Sequence, residues 1–135
     1  MTKMVLWLCV ALLVGLAAFI RLAPSDPVTW HVAPVGNTDR DMKGGVLRVV
    51  ETGPDGLARF DTIARAAPRT TVLAGSVGDG MVTYVTRTPT LGFPDYTTAQ
   101  QDGDILRIHG RLRFGRSDFG VNRVRVDRWL ALLQP

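Results

Sequence analysis

Residues 105–114 have the sequence ILRIHGRLRF, in which apolar or small residues alternate strictly with basic ones from Leu106 onward. This alternation has a period of two, so it predicts a β-strand with one face in an apolar core and the other face in water. The basic face carries Arg107, His109 and Arg111, and Arg113 ends it. A strand of this kind is typical of an antiparallel sheet that is covered on one side only.

Two amphipathic segments predict the helices that cover the apolar face. The first stripe consists of Phe60, Ile63, Ala64 and Ala67. The second consists of Val126, Trp129, Leu130 and Leu133, with Val121 and Val124 leading into it. Both stripes have the i, i+3, i+4, i+7 spacing of a helix with one buried face. We expect Asp55 to cap the first helix and Pro68 to end it.

Further strands are predicted from runs of β-forming residues. Residues 70–77 and 81–86 flank a Gly-Asp-Gly turn and predict a hairpin, while residues 46–50 and 96–100 predict single strands. Residues 28–32 predict one more short strand. The order of elements indicates an α+β fold: an N-terminal transmembrane helix, then a small antiparallel sheet with helices packed on one face.

The N-terminus contains a long apolar run. Residues 4–20 read MVLWLCVALLVGLAAFI, with Lys3 before the run and Arg21 after it. As a helix the run is about 26 Å long, near the lower limit for crossing a bilayer. We therefore predict a single-pass anchor; a cleaved signal peptide and a buried soluble helix are the alternatives. The predicted division is an anchor at 1–23, a juxtamembrane linker at 24–45 and an α+β domain at 46–135.

The anchor also suggests a location. Lys3 favours a cytoplasmic N-terminus, which would place the domain in the periplasm of a bacterial cell envelope, anchored in the inner (plasma) membrane. The charge bias is small, so the opposite orientation stays open. The single cysteine, Cys9, lies in the apolar run, so no disulfide is expected in the domain.

The charge of the chain suggests its partners. The chain has 16 basic and 12 acidic residues, and every basic residue except Lys3 and Lys43 is arginine. Arginines are concentrated after Asp104, and their guanidinium groups suit bidentate contacts with carboxylate or phosphate. An anionic lipid or an acidic protein is the functional interpretation, and an ordinary solvated surface is the alternative. Nucleic acid is not expected outside the cytoplasm.

The connection after the basic strand gathers polar residues around the start of the last helix. They are Arg113, Ser117, Asp118, Asn122 and Arg123. A helix start presents free N–H groups and positive potential, so this connection could contact an anion or a partner. The alternative is a self-satisfied network, with Asp118 paired to Arg113 or Arg123 and with Asn122 bonded to the loop backbone.

Two stretches resemble a family of proteins of unknown function. Gly92-Phe93-Pro94-Asp95 is similar to a glycine-phenylalanine-aspartate loop, and Trp30-His31 to a pair found in membrane-anchored relatives. The second stretch is Arg113-x-Gly115-x-Ser117-Asp118-x-Gly120-Val121-Asn122-Arg123, followed by Arg125-Val126. It resembles the pattern arginine, any residue, glycine, tyrosine, serine, aspartate, leucine, glycine, valine, asparagine, arginine of the DUF1499 family.

The resemblance covers roughly residues 28–133 and implies a small envelope-associated α+β domain, but no reaction. Arg116 stands where the family usually has tyrosine, so a role of that ring does not carry over.

The sequence predicts no catalytic residues, no metal site and no cofactor. Gly115 to Gly120 is not a nucleophile elbow, because its second glycine comes one residue late. We therefore predict a non-enzymatic binding, scaffold or assembly module. A hydrolase that uses the 113–123 connection is one alternative, and a cleft joining His109 to Ser117 would favour it. A carrier of a lipid or other apolar ligand is another, and a cavity lined by Phe60, Leu112 and Trp129 would favour that.

Overall fold

In the computed structural model of the chain, which describes residues 1–134, a six-stranded antiparallel sheet carries two helices on one face. The strands are β1 (Arg40–Met42), β2 (Gly45–Glu51), β3 (Thr70–Ser76), β4 (Met81–Arg87), β5 (Pro94–Asp102) and β6 (Ile105–Leu112). Their order in the sheet is β1-β2-β6-β5-β4-β3, and all neighbouring pairs are antiparallel. The predicted α+β class is confirmed.

The helices are α1 (Thr2–Leu22), α2 (Pro27–Trp30), α3 (Gly56–Ala66) and α4 (Val121–Leu133). The short strand predicted at residues 28–32 is wrong, because α2 lies there. Asp26 caps this turn of helix, because its side chain accepts a hydrogen bond from Val28 N at 3.0 Å. Pro27 fits the first helical position because it has no backbone N–H that would need an acceptor there.

The apolar core lies between the sheet and the pair α3 and α4, as the two helical stripes predict. Trp129 lies at its centre, with edge-to-face ring contacts to Phe60 at 5.7 Å and Tyr84 at 6.4 Å between centroids. Leu106 and Ile108 of β6 contribute fully buried side chains to the same cluster. Val121 and Val124 do not belong to it, because both are exposed on the outer side of α4.

A glycine allows α4 to approach the sheet closely. Gly110 lies in the middle of the sheet on β6, where a Cβ atom would stand 3.1 Å from Val126 Cγ2 and 3.3 Å from Asn122 Cβ. Any larger residue would push the first turns of α4 away from the sheet. The prediction that the small residue of the alternating strand belongs to its core face is therefore confirmed, with close packing as the reason.

The second face of the sheet is not open to water, which corrects the expectation from residues 105–114. The segment 23–37 lies across this face. Trp30 stacks on Tyr96 with 4.1 Å between ring centroids and 15° between planes. His31 Nδ1 lies 2.8 Å from Thr83 Oγ1. The linker thus forms a thin third layer on the sheet.

Helix α1 is long and apolar enough to cross a membrane, by length and composition, and none of its residues is buried in the domain core. Its C-terminal end nevertheless contacts the domain. Phe19 makes an edge-to-face contact with Phe114, with 6.2 Å between centroids, and Ala23 is buried. Helix α1 therefore meets the domain at the end of the sheet where β6 stops.

Replacing Trp129 with alanine tests the core. Trp129→Ala should lower the free energy of unfolding by about 3–5 kcal/mol, because it removes the ring that packs against both Phe60 and Tyr84. Leu132→Ala on the exposed side of α4 is the control and should cost no more than about 0.5 kcal/mol. Urea unfolding of the detergent-solubilised chain, followed by circular dichroism, measures both. Equal small losses would contradict the packing.

Candidate functional site

The two motif stretches meet in one buried polar network at the end of the sheet nearest α1. Asp95 is the second residue of β5, where it pairs in register with Leu112 of β6. Arg125, on the second turn of α4, donates to Asp95 Oδ2 from both Nη1 and Nη2, each at 3.3 Å. The loop that ends in Asp95 and the connection that leads into α4 are thus joined by an ion pair with little exposure.

The network continues from Arg125 to the start of α4. Asn122 Oδ1 accepts from Arg125 Nη1 at 2.9 Å, and Asn122 Nδ2 donates to Asp118 Oδ2 at 2.9 Å. Asp118 also accepts from the backbone N–H groups of Gly120 at 3.0 Å and Asn122 at 3.1 Å. Asp118 therefore satisfies donors that the helix start would leave free, and Asn122, fully buried, links it to the ion pair.

The predicted pairing of Asp118 with Arg113 or Arg123 is wrong. Arg113 Nη1 instead donates to Pro24 O at 3.0 Å and to Tyr96 Oη at 3.1 Å, on the linker side of the sheet. Arg123 reaches Asp41 at 3.6 Å. The alternative of a self-satisfied network is thus the arrangement observed, but backbone N–H groups and Asn122, rather than arginines, are the partners of Asp118.

Burial dominates the electrostatics of this network. Burial raises the pKa of the Asp95 carboxyl above its usual value, and the Arg125 guanidinium and Asn122 act in the opposite direction. The nearby charge of Asp118 adds a small further rise. Arg125 therefore opposes the effect of burial and favours the ionised form of the Asp95 carboxyl.

The basic strand face is occupied by the linker. Arg107 Nε donates to Gly36 O at 3.1 Å, and Arg107 Nη1 pairs with Asp102 at 3.1 Å. Arg111 donates to the carbonyl oxygen of Trp30, and burial lowers the pKa of Arg111 from its usual value. These arginines bind the chain itself, so they hold the linker in place and are not displayed to a partner.

His109 lies on the same covered face. Burial, with smaller contributions from the charges of Arg111 and Arg40, lowers the pKa of His109 to about 4, so its imidazole is neutral near pH 7. Ser117 Oγ is bonded to Phe119 N at 3.3 Å. No hydrogen bond among residues 1–134 joins Ser117 to either histidine, and no group of three potential metal ligands occurs in this part of the chain.

The space expected for an apolar ligand is filled. Phe60 and Trp129 are in ring contact inside the core. Leu112 lies at the end of β6, where its Cδ2 would be 3.4 Å from a Cβ atom built on Gly44. These three side chains therefore do not enclose a cavity between sheet and helix.

Two features were missed in the sequence. Gln101 caps α3: its Oε1 accepts from Leu57 N at 2.8 Å and its Nε2 donates to Gly53 O at 3.0 Å. Asp55 makes no such cap and instead pairs with Arg59. The second feature is a cleft beside α4 whose walls carry arginines from four separate segments. Both involve residues far apart in the chain, so no local pattern indicates them. The cleft arginines are Arg21, Arg69, Arg87, Arg125 and Arg128.

Comparison with known proteins gives one family. A family model described as "Protein of unknown function (DUF1499)" matches residues 20–133. The match includes the loop that ends in Asp95, the connection that carries Asp118 and the linker that covers the sheet. No curated protein matches the chain.

Asp118→Asn tests the cap of α4. The amide of asparagine offers one acceptor oxygen where Asp118 uses two, so a donor at the start of α4 would lose its partner. We expect a loss of about 1–3 kcal/mol in the free energy of unfolding. Ser117→Ala removes only one long, exposed hydrogen bond and should cost less than about 1 kcal/mol. Urea unfolding compares them, and equal losses would contradict the role of Asp118.

Arg125→Met tests the ion pair through its pH dependence. The variant should lose about 3–5 kcal/mol near neutral pH, because Asp95 is left buried without its counter-charge. The folded-state pKa of Asp95 should rise further above the unfolded value, so protonation favours the folded state and the loss should shrink as the pH falls to about 5. The double variant Arg125→Met/Asp95→Asn should lack this dependence. A loss that is equal at both pH values would contradict the assignment.

Proposed function

We propose that this chain, which belongs to the DUF1499 family, is a single-pass envelope protein whose domain binds partners at the membrane surface without catalysing a reaction. In this proposal α1 anchors the chain in the bacterial inner membrane, and the domain lies on the periplasmic side, opposite to Lys3. In this proposal residues 24–45 join the anchor to the α+β domain at 46–135, and the end of this segment adds β1 to the sheet of the domain.

The observation that carries this proposal is the attachment of the juxtamembrane segment to the sheet. Ser25 Oγ lies 2.6 Å from Tyr96 Oη, Arg113 donates to Pro24 O, and Arg111 donates to Trp30 O. A domain on a free tether would leave these linker groups in water. Here the sheet binds them, so the domain is held in one orientation against the end of α1.

That orientation supports a role at the membrane surface. The loops 88–93 and 113–120 lie at the end of the sheet that α1 contacts, and each carries an exposed apolar side chain, Leu91 and Phe119. Exposed apolar residues among arginines are typical of surfaces that meet lipid headgroups. The other end of the sheet carries the turn at 77–80.

The arrangement gives less support to an enzyme. Ser117, Asp118 and Asn122 are bonded within the connection and the helix start, where they stabilise α4. His31 is bonded to Thr83, and His109 is covered by the linker and neutral. A hydrolase that uses a histidine as general base would need that histidine within hydrogen-bond distance of a nucleophilic side chain.

Depth-dependent fluorescence quenching tests the orientation. Single cysteines at Leu91, Phe119 and Asp79 would be introduced into Cys9→Ser full-length protein, labelled with a fluorophore and reconstituted with headgroup-quencher lipids. We expect strong quenching at 91 and 119 and little at 79, because β4 separates the two ends of the sheet by about 23 Å. Equal quenching at all three positions would contradict the proposed orientation.

A paired control addresses the attachment itself. Trp30→Ala combined with Arg111→Ala removes the stacking on Tyr96 and the hydrogen bond to the linker carbonyl, so the difference in quenching between positions 79 and 91 should shrink.

The side of the membrane is tested with a phosphatase fused to the C-terminus, which should be active only if the domain is exported. An inactive phosphatase together with an active cytoplasmic reporter at the same point would reverse the orientation.

A further inference from the structure

We propose that a cleft beside α4 binds the phosphate headgroup of an anionic membrane lipid. The inference rests on the proposed function, because it takes the end of α1 to lie at the membrane surface. It goes further by naming the site, the ligand class and the side chains that bind it. None of the motif residues that cap α4 is needed for it.

The cleft runs between the outer side of α4 and the ends of β3 and β4. It consists of two adjoining concavities, of about 450 and 350 Å³, which share the wall formed by Arg69, Thr70, Arg87, Thr88 and Pro89. The larger one extends along α4 to Arg128, and the smaller one extends to Arg21 at the end of α1. Together they form a continuous groove from the anchor to the helix.

The walls of this groove carry an unbalanced positive charge. Five arginines line it, and no aspartate or glutamate does so within residues 1–134. Of the five, only Arg125 forms a salt bridge in this part of the chain, with Asp95. Clustered arginines repel one another unless an anion lies between them, so the charge is complementary to a phosphate group.

Two of the arginines are held in place by backbone carbonyls. Arg69 Nε donates to Arg87 O at 3.0 Å, and Arg87 Nη1 donates to Gly92 O at 2.9 Å. Each guanidinium keeps further N–H groups that have no hydrogen-bond partner among residues 1–134. These donors are thus positioned by the fold and still available to a ligand, which is the arrangement that bidentate phosphate binding requires.

The backbone at the groove is strained. Within residues 1–134, the two non-glycine residues with positive φ are Arg69 at 54° and Phe119 at 53°, and both line the groove. Residues other than glycine rarely adopt this backbone conformation, because their Cβ atom clashes with the neighbouring backbone. This conformation at Phe119 accompanies a ring that is 94% exposed at the rim.

The position of the groove favours a lipid over a free anion or a peptide. Arg21 directly follows the apolar run of α1, and its Nη1 lies 3.2 Å from the position of a Cβ atom on Gly92. Because the apolar run ends directly before Arg21, a membrane-spanning α1 would place the groove at headgroup depth. Phe119, Val121 and Val124 add an exposed apolar rim that a glycerol backbone and the first acyl carbons could contact.

Binding of short-chain lipids to the detergent-solubilised full-length chain tests the proposal. Isothermal titration calorimetry would compare dihexanoyl phosphatidylglycerol, dihexanoyl phosphatidylcholine and inorganic phosphate. We expect the anionic lipid to bind at least about tenfold more tightly than either of the others, because it alone combines uncompensated negative charge with apolar groups. Inorganic phosphate binding as tightly as the lipid would make the ligand a free anion and overturn the lipid assignment.

Paired charge variants locate the site. Arg69→Gln/Arg128→Gln removes two exposed arginines of the groove and should weaken phosphatidylglycerol binding by at least about tenfold. Lys43→Gln/Arg116→Gln removes the same charge from exposed positions outside the groove and should change the affinity less than about threefold. Equal losses in the two variants would mean diffuse attraction and would overturn the site.

Folding of the groove variant is checked by its melting temperature. If Arg69→Gln/Arg128→Gln melts early, the single variant Arg128→Glu on the exposed side of α4 replaces it and should weaken binding as strongly. Unchanged affinity in that variant overturns the proposal, as does tighter binding of an acidic peptide than of the lipid. Lipid binding is measured in detergent and does not depend on how the domain is oriented on a bilayer. A failure of the lipid-binding test can therefore be distinguished from a failure of the quenching test of orientation.

Discussion

Strand β6 is the element on which both layers of the molecule depend. It lies between β2 and β5, and its side chains alternate between the helix side and the linker side. The helices α3 and α4 pack on its apolar face, which carries Leu106, Ile108 and Gly110. On the opposite face, Arg107 and Arg111 donate hydrogen bonds to backbone carbonyls of the linker. Because the period of a strand is two, a shift of one residue would turn arginines into the core and leave the linker without partners.

The periodic parts of the fold could be predicted from the sequence, and the contacts through which the linker covers the sheet could not. The stripe ending in Trp129 and the alternation of residues 105–114 each report which side chains share a face, because burial imposes the spacing. They do not report what lies against that face. The linker has no repeat of its own, and it docks through one stacked ring, Trp30 on Tyr96, and through carbonyls that any sequence would provide.

The candidate site shows the same limit of sequence-based prediction for individual hydrogen bonds and ion pairs. The residues of the 113–123 connection could be identified as a group, and the direction of each side chain could not. Arg113 lies at the end of a strand, so its direction follows the strand pleat toward the linker, away from Asp118. The link from Asp95 through Arg125 to Asn122 joins segments 30 residues apart, and only the packing of α4 on β2 and β6 brings them together. The groove arginines, from four separate segments, are beyond any local pattern for the same reason.

The attachment of the linker also has a consequence for the order of events during synthesis. Pro24 and Ser25 leave the ribosome long before their partners, since the bond of Ser25 to Tyr96 spans 71 residues and that of Pro24 to Arg113 spans 89. Helix α1 is therefore made first, yet the domain can attach to it only after β5 and β6 exist. Until then the bonds from the linker to Tyr96 and Arg113 cannot form, so the orientation of the domain against α1 is fixed only late in synthesis.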